Sequence, residues 1–290
     1  MSWTIRQALQ EAASLFRAEG IEAPRSEAEY LLSFVLHRER IYLYGHGEEK
    51  LSEEQRGRFQ ALAGRRVCKE PLAYITGEKE FMGKTFRVSP DVLIPRPETE
   101  HLVEAVMTWL SWAHPKAYAG KRLNILDLGT GCGNIAVMMA LHFPAATVTA
   151  VDFSQGAVKM ADQNIRLHGV EGRVQTICGG YWDTLTPGLH RFHVIVSNPP
   201  YIPEPDMASL MAEVQKEPRL ALVGGSDGLA AYKEILPRVR DHLVSPGLAA
   251  LEMGEGQAGA IMALGHSAGL SVRDVIRDYS NRERVICFEG

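Results

Sequence analysis

Beyond Glu98, strand-like apolar runs at 123–128, 146–151, 173–177, 192–197 and 246–253 alternate with helical stretches near 99–112, 134–142, 156–168, 229–242 and 256–266. Parallel strands need a crossover between them, usually a helix, so this alternation predicts an open, mostly parallel sheet covered on both faces. The last two runs, 270–277 and 283–289, are separated only by Asp278-Tyr-Ser-Asn281. That spacer is too short for a helix and predicts a closing hairpin, hence an antiparallel strand in the sheet.

The first seventy residues have a different texture. Thr4 with Gln7, and Ser52 with Gln55, have the spacing of capping boxes, and Leu9, Ala12, Ala13, Leu15 and Phe16 recur at helical intervals, as do Tyr30, Leu31, Phe34 and Val35. A small all-helical domain over 1–72 is expected. From Tyr74 on, Ile75, Phe81, Phe86 and Val88 alternate with glycines and polar residues, which predicts a short hairpin, and Pro90 to Pro97 is too proline-rich for a regular element. Residues 73–98 are therefore a hairpin and connector, and 99–290 the α/β domain. Arg56, Arg58, Arg65, Arg66 and Lys69 fall within fourteen positions, a pattern that suits a solvated helix face better than a binding patch.

With 31 Lys+Arg against 35 Asp+Glu the formal charge is −4, so there is no chain-wide basic field for a phosphate backbone. Cys68, Cys132, Cys178 and Cys287 form no CxxC pair, which excludes a zinc knuckle and suits reduced thiols. No run approaches a membrane span and the start lacks a secretory pattern. A cytoplasmic protein is expected, or an organellar one whose transit segment has been removed.

Two segments carry chemistry. In the first, the apolar run 123–128 enters Gly129-Thr130-Gly131-Cys132-Gly133-Asn134 and then a helix. Such a loop, at the carboxyl end of a first strand, lets backbone approach a ligand where open α/β sheets bind theirs. Asn134 stands where the dinucleotide fingerprint has its third glycine, and the P-loop lysine is missing. What remains is Asp127 entering a GxGxG turn, and Asp152 ending the next strand, where an acid can accept hydrogen bonds from both ribose hydroxyls of an adenosine. In the second segment, the strand 192–197 stops abruptly at Asn198-Pro199-Pro200-Tyr201. Two prolines fix their own φ and restrict Asn198 before them. The Asn oxygen and a proline carbonyl can accept both hydrogens of a planar NH2 group, and Tyr201 can pack flat on that group. An adenine and a glutamine amide both expose such a group.

The GxGxG turn and its following acid resemble motif I of class I S-adenosylmethionine methyltransferases. That resemblance implies a Rossmann-like sheet, with Gly129, Thr130, Gly131, Cys132 and Gly133 beside the methionine, Asp127 and loop amides meeting its charged ends, and Asp152 on the ribose. Adenine would be met within Gly179–Asp183, where glycines replace the usual acid. A stacking Tyr181, a stacking Trp182 or a backbone amide are the alternatives, and a core role is open to either aromatic.

Wider motifs choose the acceptor. Pro71–Phe81, Phe86–Val88, Val92–Glu100, Ser197–Ile202, Glu217-Pro218 with Ala221-Leu222, Gly224–Leu229, and Leu251-Glu252 with Gly254 and Gln257 are similar to the release factor glutamine methyltransferases (HemK/PrmC). The likeness runs motif by motif over roughly 70–290. It implies methylation of the Gly-Gly-Gln glutamine of class I peptide chain release factors, with S-adenosylmethionine as donor. Asn198, Pro199, Pro200 and Tyr201 would form the catalytic glutamine pocket, Asn198 also touching the cofactor, and the helical domain would dock the release factor. Arg96 is open to either an ion-pair or a ligand role. The expected protein is a monomer with no nucleic-acid substrate. An adenine N6 methyltransferase and a non-catalytic module binding a translation factor are the alternatives.

Overall fold

A computed structural model describes residues 3–113 and 122–290. The chain divides into two compact units, Met1–Gly77 with Met211–Lys216, and Glu78–Leu210 with Glu217–Gly290.

The first unit is helical: α1 (Ile5–Ala18), α2 (Pro24–Leu36), α3 (Arg40–Gly45), α4 (Glu53–Val67) and α5 (Leu72–Thr76). Both expected capping boxes form, with Gln7 N–H donating to Thr4 Oγ1 (3.3 Å) and Gln55 N–H to Ser52 Oγ (3.1 Å). Leu9, Phe16, Leu31, Leu32 and Phe59 make the core. Tyr74 and Ile75, expected in the hairpin, lie instead in α5. Pro71 caps this helix and Gly77, at φ 78°, ends it one residue before the first strand. The basic run of α4 is only in part a solvated face, with Arg58 and Arg65 exposed. Arg66 is 1% exposed and pairs with Glu27 (2.5 Å) and Glu213, Arg65 pairs with Glu70, and Arg56 and Arg58 lie over the rings of Trp3 and Phe34. These cations are consumed within the unit.

The second unit opens with the hairpin β1 (Glu78–Phe81) and β2 (Lys84–Arg87). After α6 (Glu100–Thr108) come β3 (Leu123–Leu128), α7 (Asn134–His142), β4 (Ala146–Asp152), α8 (Gln155–Leu167), β5 (Val174–Cys178) and β6 (Phe192–Ser197). Three short helices, α9 (Arg219–Leu222), α10 (Ala230–Ile235) and α11 (Val239–His242), precede β7 (Leu243–Glu252). The unit closes with α12 (Ala258–Ser267), β8 (Ser271–Arg277) and β9 (Glu283–Glu289). The single helix expected over 229–242 is broken because Pro237 has no N–H to continue the ladder. Among the described residues no helix is long and apolar enough to cross a membrane.

The strands form one seven-stranded sheet in the order β5-β4-β3-β6-β7-β9-β8, parallel from β5 to β7, with β9 antiparallel to both neighbours. The strand period of two splits each buried strand between two cores. Ile125, Val194 and Val196 face one, with Leu102 of α6 and Val137 of α7, while Leu126, Ile195 and Leu251 face the other, with Tyr232 and Ile261. Chain order reverses between β3 and β6, where the crevice at the strands' carboxyl ends is the usual ligand site.

Asn164 of α8 ties the hairpin to the glycine loop. Fully buried, it donates to Arg87 O (2.9 Å) and Cys132 O (2.8 Å) and accepts from Arg87 N–H (2.7 Å). Asn164→Ala leaves all three backbone groups without this partner, and we expect urea denaturation to show a loss of about 3 kcal/mol.

Candidate functional site

The site is a cavity of about 410 Å³ at the carboxyl ends of β3, β4 and β6. Register builds it. Leu128 pairs with Ser197 across β3 and β6, and Ser197 Oγ donates to Leu128 O (2.7 Å), so the residues that follow, Gly129 and Asn198, leave the sheet side by side.

Gly129, Thr130, Gly131 and Cys132 line the cavity. The turn folds back on β4 through Gly129 N–H and Thr130 N–H to Val151 O (2.8 and 3.0 Å). Asp152, also in the wall, holds the loop from the other side. Its Oδ2 accepts from Gly131 N–H (2.8 Å) and its Oδ1 from Ser154 N–H (2.9 Å), and each oxygen keeps a further acceptor position. Asp127 and Gly133 do not line the cavity. Asp127 is fully buried, accepts from Thr130 Oγ1 (2.6 Å) at one oxygen, and has no partner at Oδ1. Gly133 instead turns the chain into α7, where a Cβ would meet Ala161 at 3.1 Å.

Tyr181 lines the cavity and Trp182 does not. The Trp182 indole is buried, donates to Glu234 O (3.2 Å) and stacks on His242, so it belongs to the core. Tyr181 meets Phe153 edge to face at 5.0 Å. Phe153 is 45% exposed, lines the cavity and was missed from sequence, although a large apolar side chain directly after a strand-end acid is an available signal.

Asn198 and Pro200 are in the wall, whereas Pro199 and Tyr201 are not. The Tyr201 ring packs on the second core, and its carbonyl accepts from Gln257 Nε2 (2.9 Å). Gln257 Oε1 in turn accepts from Gly254 N–H (2.9 Å). Gly228 must be glycine here: its φ is 75° and a Cβ would lie 2.4 Å from Tyr201 O. Gly224 also passes close to Pro200 O, which lies 2.7 Å from where its Cβ would be. The Asn-Pro-Pro-Tyr segment is thus clamped from below by the Gly224–Gly228 turn and by Gln257.

Arg96 and Thr99 also line the cavity. Arg96 pairs with buried Glu217 (2.5 Å), which also accepts from Ile94 N–H (3.1 Å), so of the two roles open to Arg96 the ion pair is present. Thr99 Oγ1 accepts from Asn198 Nδ2 (3.1 Å). Nothing in the spacing of the sequence signals that contact.

Two family models match the chain: the PrmC N-terminal domain over residues 7–77 and the methyltransferase small domain over residues 113–223. The release factor glutamine methyltransferase of Moorella thermoacetica is 42% identical over 286 residues, covering 98% of this chain and 97% of that protein. The chain belongs to the release factor glutamine methyltransferase family. The family's protein from Geobacter sulfurreducens is 39% identical over 98% of this chain and 96% of its own length. A solved methyltransferase from Pyrococcus furiosus, 19% identical, shares the fold at a TM-score of 0.52, covering 82% of this chain and all but 2% of its own, at 98%. Family membership does not favour the adenine-methylating and non-catalytic alternatives.

Burial dominates the electrostatics of this glutamine methyltransferase family site. It pushes the Asp127 carboxyl up to about 7, against the opposing hydrogen bond from Thr130, and raises Asp152 against the N–H groups of Ser154 and Gly131. The ordinary value for Asp127 is 3.8, so between about pH 4 and 7 the folded chain keeps a proton that the unfolded chain releases. Its stabilising contribution is full below that window and is lost as pH rises through about 7. Asp127→Asn should therefore raise the melting temperature of the ligand-free protein by several degrees at pH 8 and hardly at pH 4, as read by scanning fluorimetry.

Proposed function

We propose that this chain transfers a methyl group from S-adenosylmethionine to the side-chain amide of the glutamine in the Gly-Gly-Gln motif of class I release factors. The observation that carries this is the placement of Asn198, an amide held stiffly on the cavity wall beside the glycine loop of the neighbouring strand. The near-full-length relatives that share the family name supply the substrate class.

The residues suit the cofactor. Asp152 retains free acceptor positions for ribose hydroxyls, and Tyr181 and Phe153, edge to face in the wall, offer adenine an aromatic surface. Asp127 Oδ1 is a buried acceptor without a partner, two residues before Gly129 of the wall, where it complements the ammonium end of a methionine. Thr130 and the loop backbone complete that end of the site. When bound, S-adenosylmethionine supplies a methyl carbon already activated by a cationic sulfur.

The difficulty lies in the acceptor. A carboxamide nitrogen is a poor nucleophile because its lone pair is delocalised into the carbonyl. Asn198 Oδ1 and a proline carbonyl of the same segment accept its two hydrogens. That pairing favours a pyramidal nitrogen and aims the emerging lone pair at the electrophile, so the site contributes orientation and partial charge rather than a strong base. The methylated nitrogen is acidic enough to lose its proton to water.

The substrate is a loop on a folded protein, and the helical unit of residues 1–77 provides a second surface for it. The enzyme works in the cytoplasm as a monomer, without a nucleic-acid substrate. Two measurements test these assignments. Mass spectrometry of a release factor incubated with protein and cofactor should show one added methyl on the Gly-Gly-Gln glutamine, and an unmodified factor would refute the assignment. Asn198→Ala should keep cofactor affinity while raising the barrier to transfer by about 2 to 4 kcal/mol, measured as single-turnover rate.

A further inference from the structure

We propose that Thr99 and Glu252 are positioning residues that decide which end of the Asn198 side-chain amide faces the cavity. The proposal rests on the assignment of Asn198 to the substrate carboxamide.

The two ends of an Asn amide are nearly equal in size, but only the oxygen can accept a hydrogen. Turned the wrong way, Asn198 would present its own NH2 to the NH2 of the incoming glutamine, and the grip would be lost. In the structure Nδ2 donates to Thr99 Oγ1 (3.1 Å), leaving Oδ1 as the free end. A hydroxyl does not enforce this choice alone, because it can accept from Nδ2 or donate to Oδ1 equally well.

Glu252 removes the ambiguity. It ends β7, the strand beside β6, in a register that pairs Ser197 with Leu251, so Glu252 and Asn198 occupy equivalent places one residue further on. The side chain is 1% exposed, and Oε2 has no partner at hydrogen-bond distance. The hydroxyls of Thr99 and Tyr201 act against the effect of burial and favour its charged form. A carboxylate only accepts, so it draws the Thr99 proton toward itself and leaves the Oγ1 lone pair to Asn198 Nδ2. Polarity then runs in one direction, from Asn198 N–H through the Thr99 hydroxyl to the carboxylate. A merely structural position has no need of a buried acid, which is costly to leave incompletely paired.

The charge state of Glu252 therefore matters. Burial pushes this carboxyl up to about 7; Glu98 raises it further, while Thr99, Arg284 and Tyr201 oppose the rise. Arg284 is itself paired with Asp278 (2.8 Å), and the Tyr201 and Tyr232 phenols, raised by their own burial, stay protonated in this range. A protonated Glu252 can donate to Thr99 and free that hydroxyl to turn on Oδ1, so the ionised form is the competent one. Turnover should rise with pH through about 7.

The test uses the full chain with a release factor at saturating cofactor, which removes titration of the cofactor site from the rate. Thr99→Val keeps the side-chain shape and should lower kcat about 10- to 100-fold, with cofactor affinity by calorimetry changed less than about threefold. Thr99→Ser restores the hydroxyl and should recover most of the rate. Glu252→Gln cannot titrate and should flatten the rise in kcat between about pH 6 and 8 that the unmodified chain shows. The proposal is overturned if Thr99→Val turns over normally, if Thr99→Ser is as slow as Thr99→Val, or if Glu252→Gln keeps the unmodified pH profile. If Asn198→Ala is inactive in those cases, the Asn198 assignment survives without its relay. An active Asn198→Ala removes both.

Discussion

Parallel pairing of β3 with β6, in a register that sets Leu128 against Ser197, is the constraint on which the rest of the catalytic unit depends. It brings a loop built to let backbone approach a ligand next to a segment built to hold one amide still. Neither has a use alone. A shift of one residue in a strand turns every side chain to the opposite face, so Val194, Ile195 and Val196, divided between two cores, hold that register with the free energy of both. The functional juxtaposition is thus stabilised by burial far from the cavity.

Around that pairing, the site is rigid where substrate must be aligned. Proline stiffness explains part of it, and the Gly224–Gly228 turn, Gln257 and Thr99 supply the remainder by holding the segment from three sides. The acids are less comfortable. Asp127 and Glu252 are buried with one oxygen each unpartnered, which costs stability in the ligand-free chain. Groups arranged in this way are expected where a charged ligand or an oriented dipole is to be met.

Much of this was legible in the sequence, for identifiable reasons. Alternating strand and helix runs have strong periodicity, and 283–289 after 270–277 left no length for a crossover, so the parallel sheet with an antiparallel end followed directly. The glycine loop and Asn198-Pro-Pro-Tyr201 were visible because glycine and proline act on the backbone locally. What escaped depends on side-chain direction and on contacts distant in sequence. Tyr181 and Trp182 are adjacent and chemically alike, yet one lines the cavity and the other stacks on His242, sixty positions later in the chain. Thr99 meets Asn198 across ninety-nine residues, and Arg66, which reads as one more surface cation, is buried between Glu27 and Glu213. Pro237 interrupts a pattern whose apolar spacing alone looks continuous.

The central claim is that the Asn198 oxygen receives one amide hydrogen of the substrate glutamine, and a crystal structure of the protein with S-adenosylhomocysteine and a Gly-Gly-Gln peptide tests it most directly. We expect the glutamine nitrogen at about 3 Å from Asn198 Oδ1, with Nδ2 still on Thr99. A glutamine bound elsewhere in the cavity, or an Asn198 amide turned with its nitrogen to the substrate, would contradict the account.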